Sequence, residues 1–290
     1  MSIRQNNSPQ SVASNFGELV EWGCSALASA SATPRLDTEL LLAMAVKRPR
    51  SAIVGFPELA ASVVSCDRFR GLVRDRARGV PLAYLTGKKE FYSLELDVTP
   101  DTLVPRPETE LLVDLSLQLL AGRYAASVVE LGTGSGAIAL ALKHERPDLD
   151  VTAVDSSPAA LRVAQQNAAR LALDVRLLES IWLDALGDER YDLIIANPPY
   201  VASLDPHFSG DLRHEPRVAL DGGVDGLADI RLILARAGAY LQHDGYVLLE
   251  HGFDQGTAVV AIARENRFAE IETCLDLSGQ DRVLMARAPR

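Results

Sequence analysis

The sequence predicts an α/β fold in which a mainly parallel β-sheet is covered by helices on both faces and preceded by a small helical domain. From residue 108 onward, apolar strand-like segments alternate with helical stretches, the pattern of repeated βαβ units. The residues before about position 85 instead show helical spacing and helix caps. The chain has 290 residues, so a large and a small domain are expected.

Two helices are predicted in the first domain, residues 1–85. One begins at Thr33-Pro34 and ends before Arg48-Pro49-Arg50, with four apolar residues at helical spacing: Leu36, Leu40, Leu41 and Met44. The other, from about Cys66 to Arg78, is expected to bury Phe69, Leu72, Val73 and Ala77. Its other side carries what we call the arginine face, Arg70, Arg74 and Arg78. Such faces are usually only hydrated, but this one could also bind an acidic partner.

A β-hairpin and then a sheet are predicted after this domain. Aromatic and aliphatic residues alternate over residues 90–98, which favours a hairpin linking the domains within residues 86–106. The third segment, residues 107–290, should form the sheet, with strands at 126–131, 151–155, 175–179, 191–196, 246–251, 271–277 and a final one at 282–288.

Composition and charge exclude several function classes. Hydrophobic residues make up 48% and charged residues 23%, as in soluble globular proteins. No apolar run approaches the roughly 20 residues of a membrane-spanning helix, and the N-terminus lacks the apolar core of a signal peptide, so we expect a cytoplasmic protein. Residues 1–90 hold 12 Lys/Arg and 8 Asp/Glu, a net +4, which leaves a net −14 for residues 91–290. An acidic catalytic half does not favour direct binding of long nucleic acids.

Cysteine and histidine positions give no sign of a metal site or a hydrolase. Cys24, Cys66 and Cys274 lie far apart and are expected to be buried thiols. The five histidines are dispersed and form no known ligand or triad spacing.

A glycine-rich turn follows the first predicted strand of the sheet. The turn comprises Glu130, Gly132, Thr133, Gly134, Ser135 and Gly136, and a helix begins at Ala137. NAD, FAD and S-adenosylmethionine domains all use such turns. Here the spacing is Gly-x-Gly-x-Gly, and Glu130 can anchor the turn or the amino-acid end of a zwitterionic cofactor. Asp155 ends the next strand, where a carboxylate can accept from both ribose hydroxyls. Trp182 is a candidate wall for an adenine ring.

A second loop, residues 197–200, ends the fourth predicted strand of the sheet with Asn197, Pro198, Pro199 and Tyr200. The prolines stiffen the turn. Asn197 can then accept one N–H of a planar NH₂ group through its side-chain oxygen, and the Pro198 carbonyl can accept the other. Tyr200 can stack on the planar group. Amide nitrogen is a poor nucleophile, so an enzyme must orient it and hold it in line with the sulfonium methyl group. The two loops together predict an S-adenosylmethionine-dependent N-methyltransferase acting by direct in-line transfer, without a metal.

The chain also resembles the bacterial release factor N5-glutamine methyltransferases, the HemK/PrmC family. The resemblance rests on the two loops and on residues 81–87, 90–92, 103–110 and 215–217. It implies a seven-stranded Rossmann-like S-adenosylmethionine-dependent methyltransferase domain with a helical N-terminal substrate-recognition domain and a linking hairpin. The implied substrate is the glutamine of the Gly-Gly-Gln motif in class 1 peptide chain release factors. The implied cofactor contacts are the glycine turn, Asp155, Trp182 and Asn197, and residues 197–200 would also hold the glutamine.

Two alternatives and one departure accompany this resemblance. Related enzymes modify ribosomal protein L3, but they tend to show Pro-Arg-Ser-Pro where this chain has Pro105-Arg106-Pro107-Glu108, which favours a release factor. DNA or RNA adenine N6-methyltransferases share the logic of the second loop but generally need a basic groove. Many family members place an acid before the tryptophan, where this chain has Ile181. Glu179, a backbone group or stacking would then have to hold the adenine.

Overall fold

The first of two units is a bundle of helices. The protein is described here by a computed structural model of residues 14–210 and 212–289, which divides into units at Gly87/Lys88. The helices described in the first unit are α1 (Phe16–Leu27), α2 (Pro34–Val46), α3 (Arg50–Gly55), α4 (Val63–Ala77) and α5 (Leu82–Thr86). Phe16, Leu41 and Phe69 belong to its apolar core. Asn15 caps α1 by accepting a hydrogen bond from the Glu18 amide.

Details of burial in this unit differ from the sequence predictions. Leu36 is exposed, whereas Asp37 beside it is buried because it accepts hydrogen bonds from Ser31, Thr33 and Arg76. The prediction that Ala77 is buried was wrong, since Ala77 lies on the exposed side of the last turn of α4, whereas Arg76 lies on the side toward Asp37. Of the cysteines, Cys66 is buried as predicted, whereas Cys24 and Cys274 are only half-buried.

The second unit contains the hairpin and a seven-stranded sheet. The hairpin strands are β1 (Lys88–Phe91) and β2 (Leu94–Asp97). The strands of the sheet are β3 (Ser127–Leu131), β4 (Asp150–Asp155), β5 (Arg176–Glu179), β6 (Tyr191–Ala196), β7 (Leu241–Glu250), β8 (Ala269–Leu275) and β9 (Asp281–Arg287). The helices are α6 (Glu110–Leu119), α7 (Ala137–Glu145), α8 (Pro158–Leu171), α9 (Ala228–Tyr240) and α10 (Gly256–Glu265). Short 3-10 helices lie at Pro107–Thr109, Pro206–Ser209 and Arg217–Ala219.

The strand order is β5-β4-β3-β6-β7-β9-β8, with β3 to β7 parallel to one another and β9 antiparallel to both β7 and β8. Side chains alternate along each strand between the two faces, so Val129 joins one core cluster and Val128 the other. The predicted α/β fold with a mainly parallel sheet is confirmed. The domain boundaries at residues 85/86 and 106/107 stay a prediction.

One buried side chain on α8 bonds to both the hairpin and the glycine turn, in addition to the apolar contacts that Phe91, Leu94 and Leu96 of the hairpin make with the core. Asn167 on α8 accepts from the Asp97 amide at 2.7 Å and donates to the Asp97 carbonyl at 2.9 Å. The side-chain nitrogen of Asn167 also donates to the Ser135 carbonyl at 2.9 Å. Asn167 therefore connects the end of the hairpin to the glycine turn.

Candidate active site

The two loops singled out in the sequence lie side by side at the carboxyl edge of the sheet. Strands β3 and β6 are parallel neighbours, and their last paired residues are Leu131 and Ala196. The chain order reverses here, because β4 and β5 lie on one side of β3 and β6 lies on the other. Open α/β sheets bind ligands at such a reversal.

The glycine turn exposes backbone to this edge. Gly132, Gly134 and Gly136 have φ of +74°, +57° and +86°, a region that residues with side chains rarely adopt. A Cβ atom on Gly136 would lie 2.9 Å from the Leu140 side chain. A Cβ on Gly132 would lie 3.3 Å from the Trp182 ring, so glycine here lets the indole pack directly on the backbone.

Glu130 holds the turn from behind. It is 2% exposed and accepts hydrogen bonds from the Thr133 hydroxyl at 2.6 Å and the Ala139 amide at 3.0 Å. Burial raises the pKa of Glu130 to about 8, although both hydrogen bonds favour the ionised form. Of the two roles predicted for this carboxylate, the geometry supports the anchoring of the turn.

Asp155 lies at the end of β4 and orders two backbone segments. One of its oxygens accepts from the Gly134 amide and the other from the Ser157 amide, both at 2.8 Å. Ser157 in turn caps α8 by accepting from the Ala160 amide. Each carboxylate oxygen keeps a further lone pair, and Asp155 lines the adjacent cavity, so it can still accept from hydroxyl groups of a ligand.

A cavity of about 290 Å³ opens beside the glycine turn. Its lining includes Gly132, Gly134, Asp155, Trp182 and Asn197 from the predicted set. Thr133, Ser135 and Gly136 are not among the lining residues; Thr133 and Ser135 are buried and shape the turn.

The wall expected to hold an adenine ring combines aromatic and aliphatic groups. Trp182 donates from its indole nitrogen to Asp229 on α9 at 3.2 Å, which fixes the plane of the ring. Ile181, 62% exposed, lines the cavity at the position where the resemblance led us to expect an acid, and Glu179 is not among the lining residues. Asp229 also lines the cavity, and burial raises the pKa of its carboxyl group.

A second cavity, of about 180 Å³, lies on the other side of Asn197. Pro198 and Tyr200 line it, together with Arg106, whose guanidinium pairs with buried Glu215. Among the described residues, Leu103, Asn197 and Ala219 line both cavities. Of these three, only Asn197 has a polar side chain.

The polar groups behind the second loop were missed in the sequence. The Asn197 amide donates to Thr109 at 3.1 Å, and Thr109 donates to Glu250 at 2.7 Å. Tyr200 donates to the other oxygen of Glu250 at 3.1 Å. One signal could have found Glu250, because it directly follows the apolar residues of β7 at the same edge of the sheet.

Comparisons with known proteins agree with the two-unit architecture. Residues 18–87 match the family "PrmC N-terminal domain", and residues 109–211 match the "Methyltransferase small domain" family. The release factor glutamine methyltransferase of Salmonella typhimurium is 45% identical over 89% of this chain and 93% of that protein. The chain belongs to the release factor glutamine methyltransferase family. Its member from Pseudomonas aeruginosa is 47% identical, over 89% of this chain and 94% of that protein.

Family membership confirms the resemblance predicted from the motifs. Among solved structures, a 16S rRNA N2 G1207 methyltransferase from Thermus thermophilus, in complex with AdoMet and guanosine, has a TM-score of 0.51. It is 21% identical and is matched over 69% of this chain and 49% of that chain, a likeness that shows a shared fold. In the described part of the chain, none of the helices combines the length and apolar character required to cross a membrane.

Proposed function

We propose that this chain transfers a methyl group from S-adenosylmethionine to the side-chain amide nitrogen (N5) of a glutamine. By kinship with the release factor glutamine methyltransferases, the substrate is the glutamine of the Gly-Gly-Gln motif in class 1 peptide chain release factors. We infer a cytoplasmic site of action, where such a substrate serves translation. The observation that carries the proposal is the position of Asn197, the one polar side chain that, within residues 14–210 and 212–289, belongs to the linings of both cavities.

The residues of the larger cavity fit S-adenosylmethionine. The carboxylate of Asp155 suits two ribose hydroxyls, and the flat face of Trp182 suits a purine ring. The cavity wall at Gly134 is bare backbone, since no protein atom lies within 4 Å of where a Cβ would be. When bound, this cofactor supplies an electrophilic methyl group on a sulfonium.

The residues of the smaller cavity fit a primary carboxamide. Asn197 uses its nitrogen on Thr109, so its oxygen remains to accept one N–H of the substrate amide. The backbone carbonyl of Pro198 can accept the second N–H. Two acceptors placed out of the amide plane would draw the NH₂ group toward a pyramidal geometry, in which its lone pair is less delocalised and can face the larger cavity. After transfer the nitrogen would lose one of these protons, which leaves a neutral N-methyl amide and S-adenosylhomocysteine. Positioning of this kind can contribute several kcal/mol to catalysis, roughly 7–11 in well-oriented intramolecular systems.

The helical unit is proposed to contribute recognition of the protein substrate. The arginine face of α4 carries positive charge on a unit whose sequence is net basic, in contrast to the acidic remainder. Arg70, half-buried on α4, pairs with Asp67 at 4.0 Å, and Arg78, exposed just after the end of α4, pairs with Asp75 at 3.3 Å; ion pairs of this kind near the surface are weak. An acidic surface on a partner could therefore compete for them.

A direct test combines product analysis with one substitution. Purified protein, labelled S-adenosylmethionine and a full-length release factor should give one added methyl group on the glutamine of the Gly-Gly-Gln peptide, seen by mass spectrometry. A factor with that glutamine replaced by alanine should remain unlabelled. Asn197→Ala should lower kcat about 100-fold or more while the cofactor Kd changes only a few-fold. Equal loss of both, or methylation at another residue, would contradict the proposal.

A further inference from the structure

A buried carboxylate lies behind the second loop and touches neither cavity. Glu250 ends β7, is 1% exposed and is not among the lining residues of either cavity. Its two oxygens accept from the hydroxyls of Thr109 and Tyr200, at 2.7 Å and 3.1 Å. Thr109 is itself 4% exposed and belongs to the 3-10 helix that leads into α6. One carboxylate thus joins three segments that are distant in sequence.

With Glu250 ionised, the direction of each hydrogen bond in this network is fixed. An ionised carboxylate only accepts hydrogen bonds, so both hydroxyls donate to Glu250, as they do in the structure. Thr109 has a single hydroxyl proton, and once that proton points at Glu250 the oxygen can only accept. The group of Asn197 that faces Thr109 must therefore be the NH₂ group, as found at 3.1 Å. The Asn197 oxygen consequently faces away from Thr109.

A buried carboxylate at this position has an energetic cost. Burial raises the pKa of Glu250, whereas the hydrogen bonds from Thr109 and Tyr200 and the positive charge of Arg282 favour its ionised form. A well-packed apolar residue would fill such a space at least as stably. If residue 250 were a protonated acid or a neutral amide, the direction of these hydrogen bonds would no longer be fixed. Thr109 could then accept a hydrogen bond from residue 250 and donate its own proton to the oxygen of Asn197. The negative charge of Glu250 therefore determines the orientation of the Asn197 side-chain amide.

We propose that Thr109 and Glu250 are positioning residues for methyl transfer, which hold the Asn197 amide with its oxygen toward the substrate carboxamide. The inference rests on the function proposed above, because it requires Asn197 to accept from the substrate amide. Neither residue needs to contact cofactor or substrate. The hydroxyl of Tyr200 is held by the same carboxylate, so the aromatic ring and the amide of the second loop share one anchor.

The test uses substitutions that keep shape and change hydrogen bonding. Thr109→Val removes the hydroxyl, Thr109→Ser keeps it, and Glu250→Gln adds a donor where only an acceptor is tolerated. Thr152→Val is the matched control, since Thr152 is a buried threonine in the middle of β4. The measurements on the full chain are kcat and KM with a release factor, cofactor Kd by calorimetry, and the thermal unfolding midpoint.

Thr109→Val and Glu250→Gln are expected to lower kcat on the order of 10- to 100-fold, as small misplacements of reacting groups do, with cofactor Kd changed less than about threefold. Thr109→Ser should restore most of the rate, and Thr152→Val should match the wild type. In an Asn197→Ala background Thr109→Val should cause little further loss, because Thr109 acts through Asn197. Thr109→Ala serves in place of valine if that variant does not fold.

Two kinds of failure are distinguishable. A wild-type protein that methylates no release factor overturns the proposed function itself. An active wild type in which Thr109→Val keeps its rate, or in which the losses from Thr109→Val and Asn197→Ala multiply, overturns the positioning role and leaves the function standing. If Thr109→Ser loses as much kcat as Thr109→Val, the positioning role is likewise overturned and the function still stands.

Discussion

Replacing Glu130 by glutamine should alter how the stability of the catalytic unit depends on pH. The carboxyl group is 2% exposed, and its burial raises the pKa to about 8 from an ordinary value of 4.5. Glutamine has nearly the same shape and can still accept from Thr133 and Ala139 through its oxygen. It carries no titratable proton, so the comparison isolates the ionisation of this one side chain.

The size of the effect follows from the difference in pKa. Between pH 4.5 and 8 the unfolded chain loses the Glu130 proton while the folded chain retains it. The stabilisation from the buried protonated form is complete below pH 4.5 and is lost as the pH rises through 8. Each pH unit in this window should cost the wild type about 1.4 kcal/mol relative to Glu130→Gln, or about 5 kcal/mol at most over the whole window.

Urea unfolding at several pH values from 5 to about 8 measures this difference. The chain has two tryptophans, so a Trp22→Phe background leaves Trp182 as the fluorescent reporter of the catalytic unit. Glu145→Gln, an exposed carboxylate at the end of α7, is the matched control and should leave the slope unchanged. Parallel stability curves for the wild type and Glu130→Gln would refute the reasoning.

Three further predictions concern the turn, the indole and the helical unit. Gly136→Ala should lower the free energy of unfolding by about 2–4 kcal/mol, since it adds a steric overlap with Leu140 to the cost of a positive φ. The control is Gly122→Ala, which has a φ of +79° but open space around it and should lower the free energy of unfolding by only about 1–2 kcal/mol. Equal losses in the two variants would contradict the steric contribution. Trp182→Ala should raise the cofactor Kd roughly 5- to 100-fold by calorimetry, as loss of one base-stacking partner does, whereas an unchanged Kd would exclude ring stacking. Charge reversal of the arginine face should raise KM for a full-length release factor but not for its isolated glutamine peptide; an unchanged KM for both would remove the docking role.

Local signals in the sequence were sufficient to predict the sheet and the positions of the two loops. Strand β6 and Asn197 could be predicted because an apolar run ending in Asn-Pro-Pro-Tyr is visible within ten residues. The glycine turn and Asp155 were visible for the same reason, since each lies at the end of one strand. The carboxyl-edge rule then places neighbouring strand ends together without any knowledge of side-chain packing.

Long-range partners could not be predicted in this way. Thr109 and Glu250 are 141 positions apart, and although the end of an apolar strand marks the position of Glu250, nothing near either residue identifies the other as its partner. Asp37 illustrates the same limit in the helical unit, where helical spacing favoured Leu36 for the core. The Asp37 carboxylate is instead buried because it accepts hydrogen bonds from Ser31, Thr33 and Arg76, whereas Leu36 is exposed.

The side-chain amide of Asn167 couples the position of the hairpin to that of the glycine turn beside the larger cavity. If a docked partner pulled the hairpin strand β2 outward, Asn167 would lose its two hydrogen bonds to Asp97, at a cost of roughly 1–3 kcal/mol, and would keep those to Ser135 and Arg170. Movement of α8 together with β2 avoids that cost, and the carbonyl of Ser135 is tied to the same nitrogen. Displacement of the hairpin would therefore reach the glycine turn.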